Sequence, residues 1–256
     1  MPGNAVCSPP VGSATWADVS GTGASLAIVD QTQVARLPIF QGLNAGELSD
    51  LLKDAHLHRT PKNTAVFEEG GDAHSFFVLV EGRLRVVKVT PDGAQVLMRY
   101  MVPGDIFGIA RALGRTTYPA TAVAVVDSVA LAWPSTSWER LSGRYPIFAA
   151  ETLKLVGSRL QEVQTRVIEI STEEVQRRIA RALLRLARQA GRKVDQGVEI
   201  DFPISRQDVA QMTGTTLHTV SRILSAWDAQ GLVSGGRQRI VVKDPHRLLL
   251  LAEKPD

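Results

Sequence analysis

The chain is poor in cysteine. Cys7 is the single one in 256 residues, so no internal disulfide can form and no iron–sulfur cluster of four cysteine ligands can be held. Apolar runs stay far below the roughly 18 residues of a membrane span, and the N-terminus lacks the basic-then-apolar order of a secretory signal, so a cytoplasmic location is expected. Charge of one sign is also in short supply. The net charge is only +3, yet it is unevenly divided: residues 171–256 carry 14 Lys+Arg against 10 Asp+Glu, and residues 1–170 carry 15 against 16. That basic excess is too modest to establish a nucleic-acid partner by itself. What remains is a folded globular composition, 44% hydrophobic and 21% charged, long enough for two domains. No solenoid repeat is present.

The most specific pattern runs from Arg206 to Ser225. Ala210, Gly214, Val220 and Ile223 occupy the four packing positions of a helix-turn-helix: a small residue where two helices approach, a glycine for positive φ in the turn, and two aliphatics under the second helix. Ser205 with Asp208 predicts a capped start to the first helix, and Thr215 or Thr216 can cap the second. Leu217, His218, Ser221 and Arg222 then face outward from the half of the helix that enters a major groove. Arg222 can bond bidentately to guanine, Ser221 can reach a base edge or phosphate, and His218 can donate or accept. Arg206, Gln207 and Thr216 flank this face. Leu232-Val233, Gly235-Gly236 and Ile240-Val241-Val242 spell a tight hairpin, a wing that places Arg237 and Arg239 beside phosphates. The expected partner is double-stranded DNA.

Residues 1–30, rich in Gly, Ser, Pro, Ala and Thr, are expected to be a disordered tail. Asn44 and Glu47 predict a capped helix carrying Leu48, Leu51 and Leu52. Between about residues 56 and 133, Ala65–Phe67, Ser75–Val80, Arg83–Val89, Gln95–Val102, Thr121–Val126 and Ser128–Trp133 have strand character, separated by turn residues. Short strands at such spacing predict a small jelly roll. Ala149, Leu153, Val156, Leu160, Val163, Val167 and Ile170 follow at steps of 4 and 3, a heptad seam narrower than a helix needs for packing on its own domain. A parallel homodimer is expected. Ser171 with Glu174 predicts a helix restart, and hence a hinge, before Val175, Ile179, Leu183 and Leu186; Val198–Phe202 alternates as a strand. The fold expected is α+β: a β jelly-roll sensor domain over 31–144, a dimerisation helix over 145–170 and a winged helix-turn-helix over 171–256.

That order of parts resembles the CRP/FNR family of bacterial transcription regulators over about residues 35–250. Glu81-Gly82, Pro103-Gly104-Asp105-Ile106-Phe107-Gly108 and Thr219-Val220-Ser221-Arg222 look like the family's pattern. Thr213 through Arg222 is similar to regulators of nitrite and nitric oxide reductase genes, the NnrR-like subgroup. The resemblance implies an effector pocket near Gly104, Phe107, Ile109, Tyr118 and Val163, palindromic DNA half-sites, and contact of the segment about 192–200 with RNA polymerase. It also exposes departures. Where a cyclic-nucleotide member has an acid for the ribose and an Arg-Ser pair for the phosphate, this chain has Ile109 and Pro119-Ala120, and neither Arg111 nor Arg115 restores the lost carboxylate; cyclic AMP is not expected. His218 replaces an acidic residue that many relatives aim at cytosine, so the half-site is expected to differ from TTGAT while staying TTG-like.

The subgroup resemblance makes haem a candidate cofactor and nitric oxide a candidate signal. Axial ligands then come from His56, His58, His74, His246, Cys7, Met98 or Met101, none at a diagnostic spacing. His56 and His58 fit a solvated edge strand as well as a metal site. Two rival functions are a metallo-cupin enzyme using His56 and His58, which lacks the following carboxylate, and a cyclic-nucleotide-binding module.

Overall fold

A computed structural model describes residues 31–93 and 95–253; the expected tail and Cys7 lie outside them. Two short helices lead in, α1 (Gln31–Ala35) and α2 (Ala45–Leu52). The cap of α2 is the predicted one: the Asn44 side chain accepts from the Glu47 amide at 2.9 Å and the Glu47 carboxylate from the Asn44 amide at 2.9 Å, so two N–H groups left over by the helix are satisfied reciprocally.

Eight strands make the sensor: β1 (His56–Thr60), β2 (Ala65–Phe67), β3 (Ser75–Glu81), β4 (Leu84–Val89), β5 (Gln95–Met101), β6 (Ile106–Phe107), β7 (Thr121–Ala124) and β8 (Ser128–Pro134). They form two antiparallel sheets, ordered β1-β8-β3-β6 and β2-β7-β4-β5, the double-sheet arrangement of a jelly roll. Six were foreseen within a residue or two, and the edge strand expected at His56 and His58 is β1; the addition is the two-residue β6, which is too short to show a period. Strand β3 reads Phe76-Phe77-Val78-Leu79-Val80 without alternation because it is covered on both sides. Phe77 and Leu79 face the space between the sheets, whereas Phe76, Val78 and Val80 pack against the helices together with fully buried Trp133. The Trp133 indole N–H donates to the Leu51 carbonyl at 3.0 Å, which fixes α2 to that sheet.

After α3 (Trp138–Arg144), Pro146 opens the 27-residue helix α4 (Pro146–Thr172), in the first turn, where a missing N–H costs no helical bond. The expected hinge at Ser171 is displaced. Ser171 remains helical and its hydroxyl donates to the Val167 carbonyl at 2.8 Å, a bond to residue i−4 that lets serine sit inside a helix. The break falls at Glu173 and Glu174, both extended, and α5 (Val175–Ala190) starts without a side-chain cap. Arg178 closes the end of α4 by donating to the carbonyls of Ile170 at 3.0 Å and Glu173 at 3.2 Å, a cation placed where the helix dipole favours one. Nearby, the Arg185 guanidinium grips Glu169 with two bonds of 2.5 and 3.1 Å.

The C-terminal unit continues with β9 (Gly191–Val194), β10 (Gly197–Ile200), α6 (Arg206–Thr213), α7 (Leu217–Ala229), β11 (Val233–Gly236), β12 (Arg239–Val242) and α8 (Pro245–Glu253). Its sheet is ordered β11-β12-β10-β9. The unit shares a core with the sensor: Val87, Leu97 and Tyr100 of the second sheet are buried among Phe202, Val209 and Met212. Tyr100 and Phe202 rings lie 4.5 Å apart, and the Arg83 guanidinium sits 5.1 Å over Phe202.

Gly82 and Gly93 both have positive φ, +90° and +83°. A Cβ at Gly82 would stand 2.6 Å from the Asp127 carbonyl, whereas one at Gly93 meets nothing within 4 Å. Gly93→Ala is expected to cost only the backbone strain of about 1–2 kcal/mol, and Gly82→Ala clearly more. Urea denaturation of the two variants checks the order.

Candidate nucleic-acid interface

The helix-turn-helix is built as the local sequence dictates. Ser205 and Asp208 cap α6 reciprocally: the Asp208 amide donates to the Ser205 hydroxyl at 3.1 Å and the Ser205 amide to the Asp208 carboxylate at 2.7 Å. The same carboxylate docks the helix on the sensor. Arg85 of β4 lies 3.9 Å from it, and the Tyr100 hydroxyl beside it is pushed well above the usual tyrosine range, first by burial and then by this carboxylate. Gly214 adopts φ 61°, ψ 43° and ends α6. A Cβ at this position would sit an ordinary 3.5 Å from Ile170, so glycine is required here by conformation rather than by space. Thr216 then caps α7, its hydroxyl oxygen accepting from the Thr219 amide at 3.2 Å.

Val220, Ile223, Leu224 and Trp227 bury the inner face of α7. On the opposite face His218 and Arg222 are exposed, Ser221 is half-buried and Leu217 remains 46% exposed. Arg206 and Gln207 are exposed on the first turn of α6. One protruding helix end therefore presents a cation, an imidazole, a hydroxyl and an aliphatic side chain, the set needed to read base edges.

The wing differs from expectation in two ways. Gly236 pairs with Arg239, so the turn residues are Arg237 and Gln238, with Gln238 at φ 58°; Gly235 and Gly236 belong to β11. The register is fixed by the buried pair Val233 and Val242, which outweighs the turn preference of glycine. Only Arg237 stands at the tip. Arg239 is held on β10 by Glu199, through bonds of 2.5 and 3.2 Å, and Arg192 approaches the same carboxylate at 3.1 Å. The hydrogen bond from Arg239 keeps the Glu199 carboxyl below its usual range. Arg239 is thus ion-paired across the sheet while its side chain stays 59% exposed.

The five residues expected to form an effector pocket do not converge. Phe107 and Tyr118 fill the space between the sheets: the rings of Phe67 and Tyr118 stack at 3.8 Å and those of Phe77 and Phe107 at 5.1 Å. The Tyr118 hydroxyl donates to the Ser75 carbonyl at 2.7 Å. Ile109 packs with the helical layer, and Gly104 is pressed against Pro38. Val163 borders a sizeable cavity, and that cavity lies elsewhere. It measures about 550 Å³ and opens between β5, α4 and α5, with Met212 of α6 at its edge. Sequence reasoning missed it, although Arg159, Glu162, Arg166 and Glu169 recur at steps of 3 and 4 beside the aliphatic seam.

His56 and His58 do share β1, an edge strand. His56 is exposed, while the His58 ring packs edge-on against Phe77 at 5.6 Å and burial lowers its pKa. His74 is exposed beside Asp72, 3.8 Å away. Among the described residues no three His, Cys, Asp or Glu side chains are grouped to hold a metal. Haem does not fit the sensor interior, because the aromatic stack occupies the volume that a macrocycle would need.

Two β-sheets enclosing a core, a long helix and a winged helix-turn-helix define a DNA-binding regulator, and comparison with known proteins agrees. Residues 57–145 match the cyclic nucleotide-binding domain family and residues 177–251 the Crp-like helix-turn-helix domain family. The nitrogen fixation regulation protein FixK of Azorhizobium caulinodans is 30% identical over 185 residues, 72% of this chain and 73% of its own length. The cyclic AMP receptor protein of Thermus thermophilus is 29% identical over 207 residues, 81% of this chain and 93% of that protein. The solved structure of FixK2 from Bradyrhizobium japonicum superposes with a TM-score of 0.68 at 25% identity, covering 79% of this chain and 99% of that one. The chain belongs to the CRP/FNR family of transcription regulators. Members of this family bind DNA and work as dimers, and its relatives are regulators, not enzymes, which removes the metallo-cupin alternative. Among the described residues no helix is long and apolar enough to cross a membrane.

Arg222→Ala is expected to cost about 1–3 kcal/mol on a specific site and to relax preference at one base pair, whereas Arg237→Ala should weaken all sequences alike and reduce the salt slope by about 1. Fluorescence anisotropy against matched and scrambled duplexes over a salt series measures both.

Proposed function

We propose that the chain is a cytoplasmic, homodimeric transcription regulator that reads an imperfect palindrome with TTG-like half-sites and responds to a small effector other than cyclic AMP. The observation that carries this reading is the exposed N-terminal half of α7, with Leu217, His218, Ser221 and Arg222 on one face. The pairing is supported by α4, whose seam residues face water: Leu153 is 72% exposed and Leu160 60%, with Val163, Val167 and Ile170 also open and Val156 half-buried. Such a stripe on a 27-residue helix is costly in water and is covered by a second copy in parallel register. Two readers would then meet successive major grooves about one helical turn apart.

The effector reading is supported by the filled sensor interior and by Ile109 and Pro119 where a nucleotide would need an acid and a phosphate ligand. The hairpin β9–β10, within the segment about 192–200, is the surface proposed for RNA polymerase. Relatives named for regulation of nitrogen fixation and of fumarate and nitrate reduction support target genes of respiration or nitrogen-oxide metabolism. A second reading, a nitric oxide response through haem, is favoured by the likeness of Thr213–Arg222 to nitric oxide reductase regulators. It requires haem outside the sensor interior, and the absence of a Soret band after reconstitution would exclude it.

Leu160→Glu puts two carboxylates into the proposed seam. Light scattering is expected to show a dimer for the parent and a monomer for the variant, with DNA affinity down at least about tenfold, since each half-site would be held alone. An unchanged dimer would refute the seam.

A further inference from the structure

We propose that the cleft between β5, α4 and α5 is a binding site for a small polyanion, a phosphorylated or polycarboxylate metabolite, which ties the long helix to the DNA-binding unit. This rests on the reading of the chain as an effector-responsive regulator and names the chemistry of its signal.

The cavity of about 550 Å³ is of a size that takes metabolite-scale ligands. Its walls are rich in arginine, and the carboxylates present do not match them. Arg99 and Arg159 share the single carboxylate of Asp105, and Arg185 is taken by Glu169. Arg166 has a carbonyl partner instead of an acid, donating to Met98 at 2.7 Å. Arg188 is exposed at the rim, and no ion pair involves it among the described residues. The Arg99 Nε is buried with no hydrogen-bond partner among the described residues, although Asp105 lies within reach of the same guanidinium. Burial, and then the neighbouring Arg185, pulls the Arg166 pKa down, with Glu169 and Glu162 acting the other way. Glu162 also lines the cleft and offsets only part of the excess.

Guanidinium forks suit planar or tetrahedral oxyanions, which accept two parallel N–H bonds and supply the missing charge at once. Leu155, Val163, Leu186 and Met212 give the cleft apolar walls for the carbon part of such a molecule. The location makes occupancy consequential. Arg99 belongs to the sensor, Arg159 and Arg166 to the long helix, and Arg188 to the first helix of the DNA-binding unit, so a bound polyanion favours the arrangement in which these three come together. A ligand that prefers one arrangement shifts the population by its differential affinity.

The test is calorimetric titration of the full chain at constant ionic strength with inorganic pyrophosphate and, separately, citrate. Parent protein should bind at least one of them. Arg188→Gln and the double variant Arg166→Gln/Arg188→Gln should weaken that binding about threefold and tenfold or more, with thermal unfolding run alongside to confirm that each is folded. Arg237→Ala, on the wing, should leave it unchanged. Preference for pyrophosphate assigns a phosphorylated ligand, and preference for citrate a polycarboxylate. No heat with either probe, or heat lost in Arg237→Ala and kept in the cleft variants, overturns the site. Anisotropy with duplex DNA in the absence of probe examines the regulator reading by itself: cleft binding by a protein that ignores every duplex would keep the site and sink the regulator.

Discussion

The apolar contact between the second sensor sheet and the DNA-binding unit governs where the recognition helix points. Val87, Leu97 and Tyr100 are buried in the same core as Ile179, Val209 and Met212; complete burial of one such aliphatic side chain is worth about 1.5–3 kcal/mol. Polar contacts orient what the apolar ones hold. Asp208 caps α6 and faces Arg85 and Tyr100, so the carboxylate that starts the first helix of the helix-turn-helix also orients it against the sensor. Without the apolar part, that ion pair would be a partly exposed contact of little value.

The parts of the fold fixed by short-range sterics were legible in the sequence. Gly214 needed a left-handed conformation, Asn44 and Ser205 offered side-chain acceptors to free amides, and the turn residues between strands bounded six of the eight sensor strands. Each is decided within a few residues. The errors arose where a distant partner outbid a local preference. Ser171 looked like a cap but found the Val167 carbonyl, leaving the break to Glu173 and Glu174, where Arg178 receives the end of the helix. Gly235 and Gly236 looked like a turn, but the pairing of Val233 with Val242 moved it onward by two residues.

The outward face of α7 was legible for the same local reason, since helical spacing alone places Leu217, His218, Ser221 and Arg222 on one side. Arg239 was not, because its engagement by Glu199 depends on a strand 40 residues away. The expected effector pocket was the least legible part. Phe107 and Tyr118 are compatible with either a lined pocket or a filled core, and only the positions of Phe67 and Phe77 decide between them. The arginines of the cleft come from three separate segments, and on α4 they lie beside an aliphatic stripe, where charged residues ordinarily form a solvated flank.

Ile170 is both the last residue of that stripe and the neighbour of the glycine elbow between α6 and α7. With α4 paired as proposed, a side chain in that double position would make assembly and recognition mechanically one event. Any sliding of the paired coils by part of a turn would be delivered to the elbow itself, with no intervening joint to absorb it.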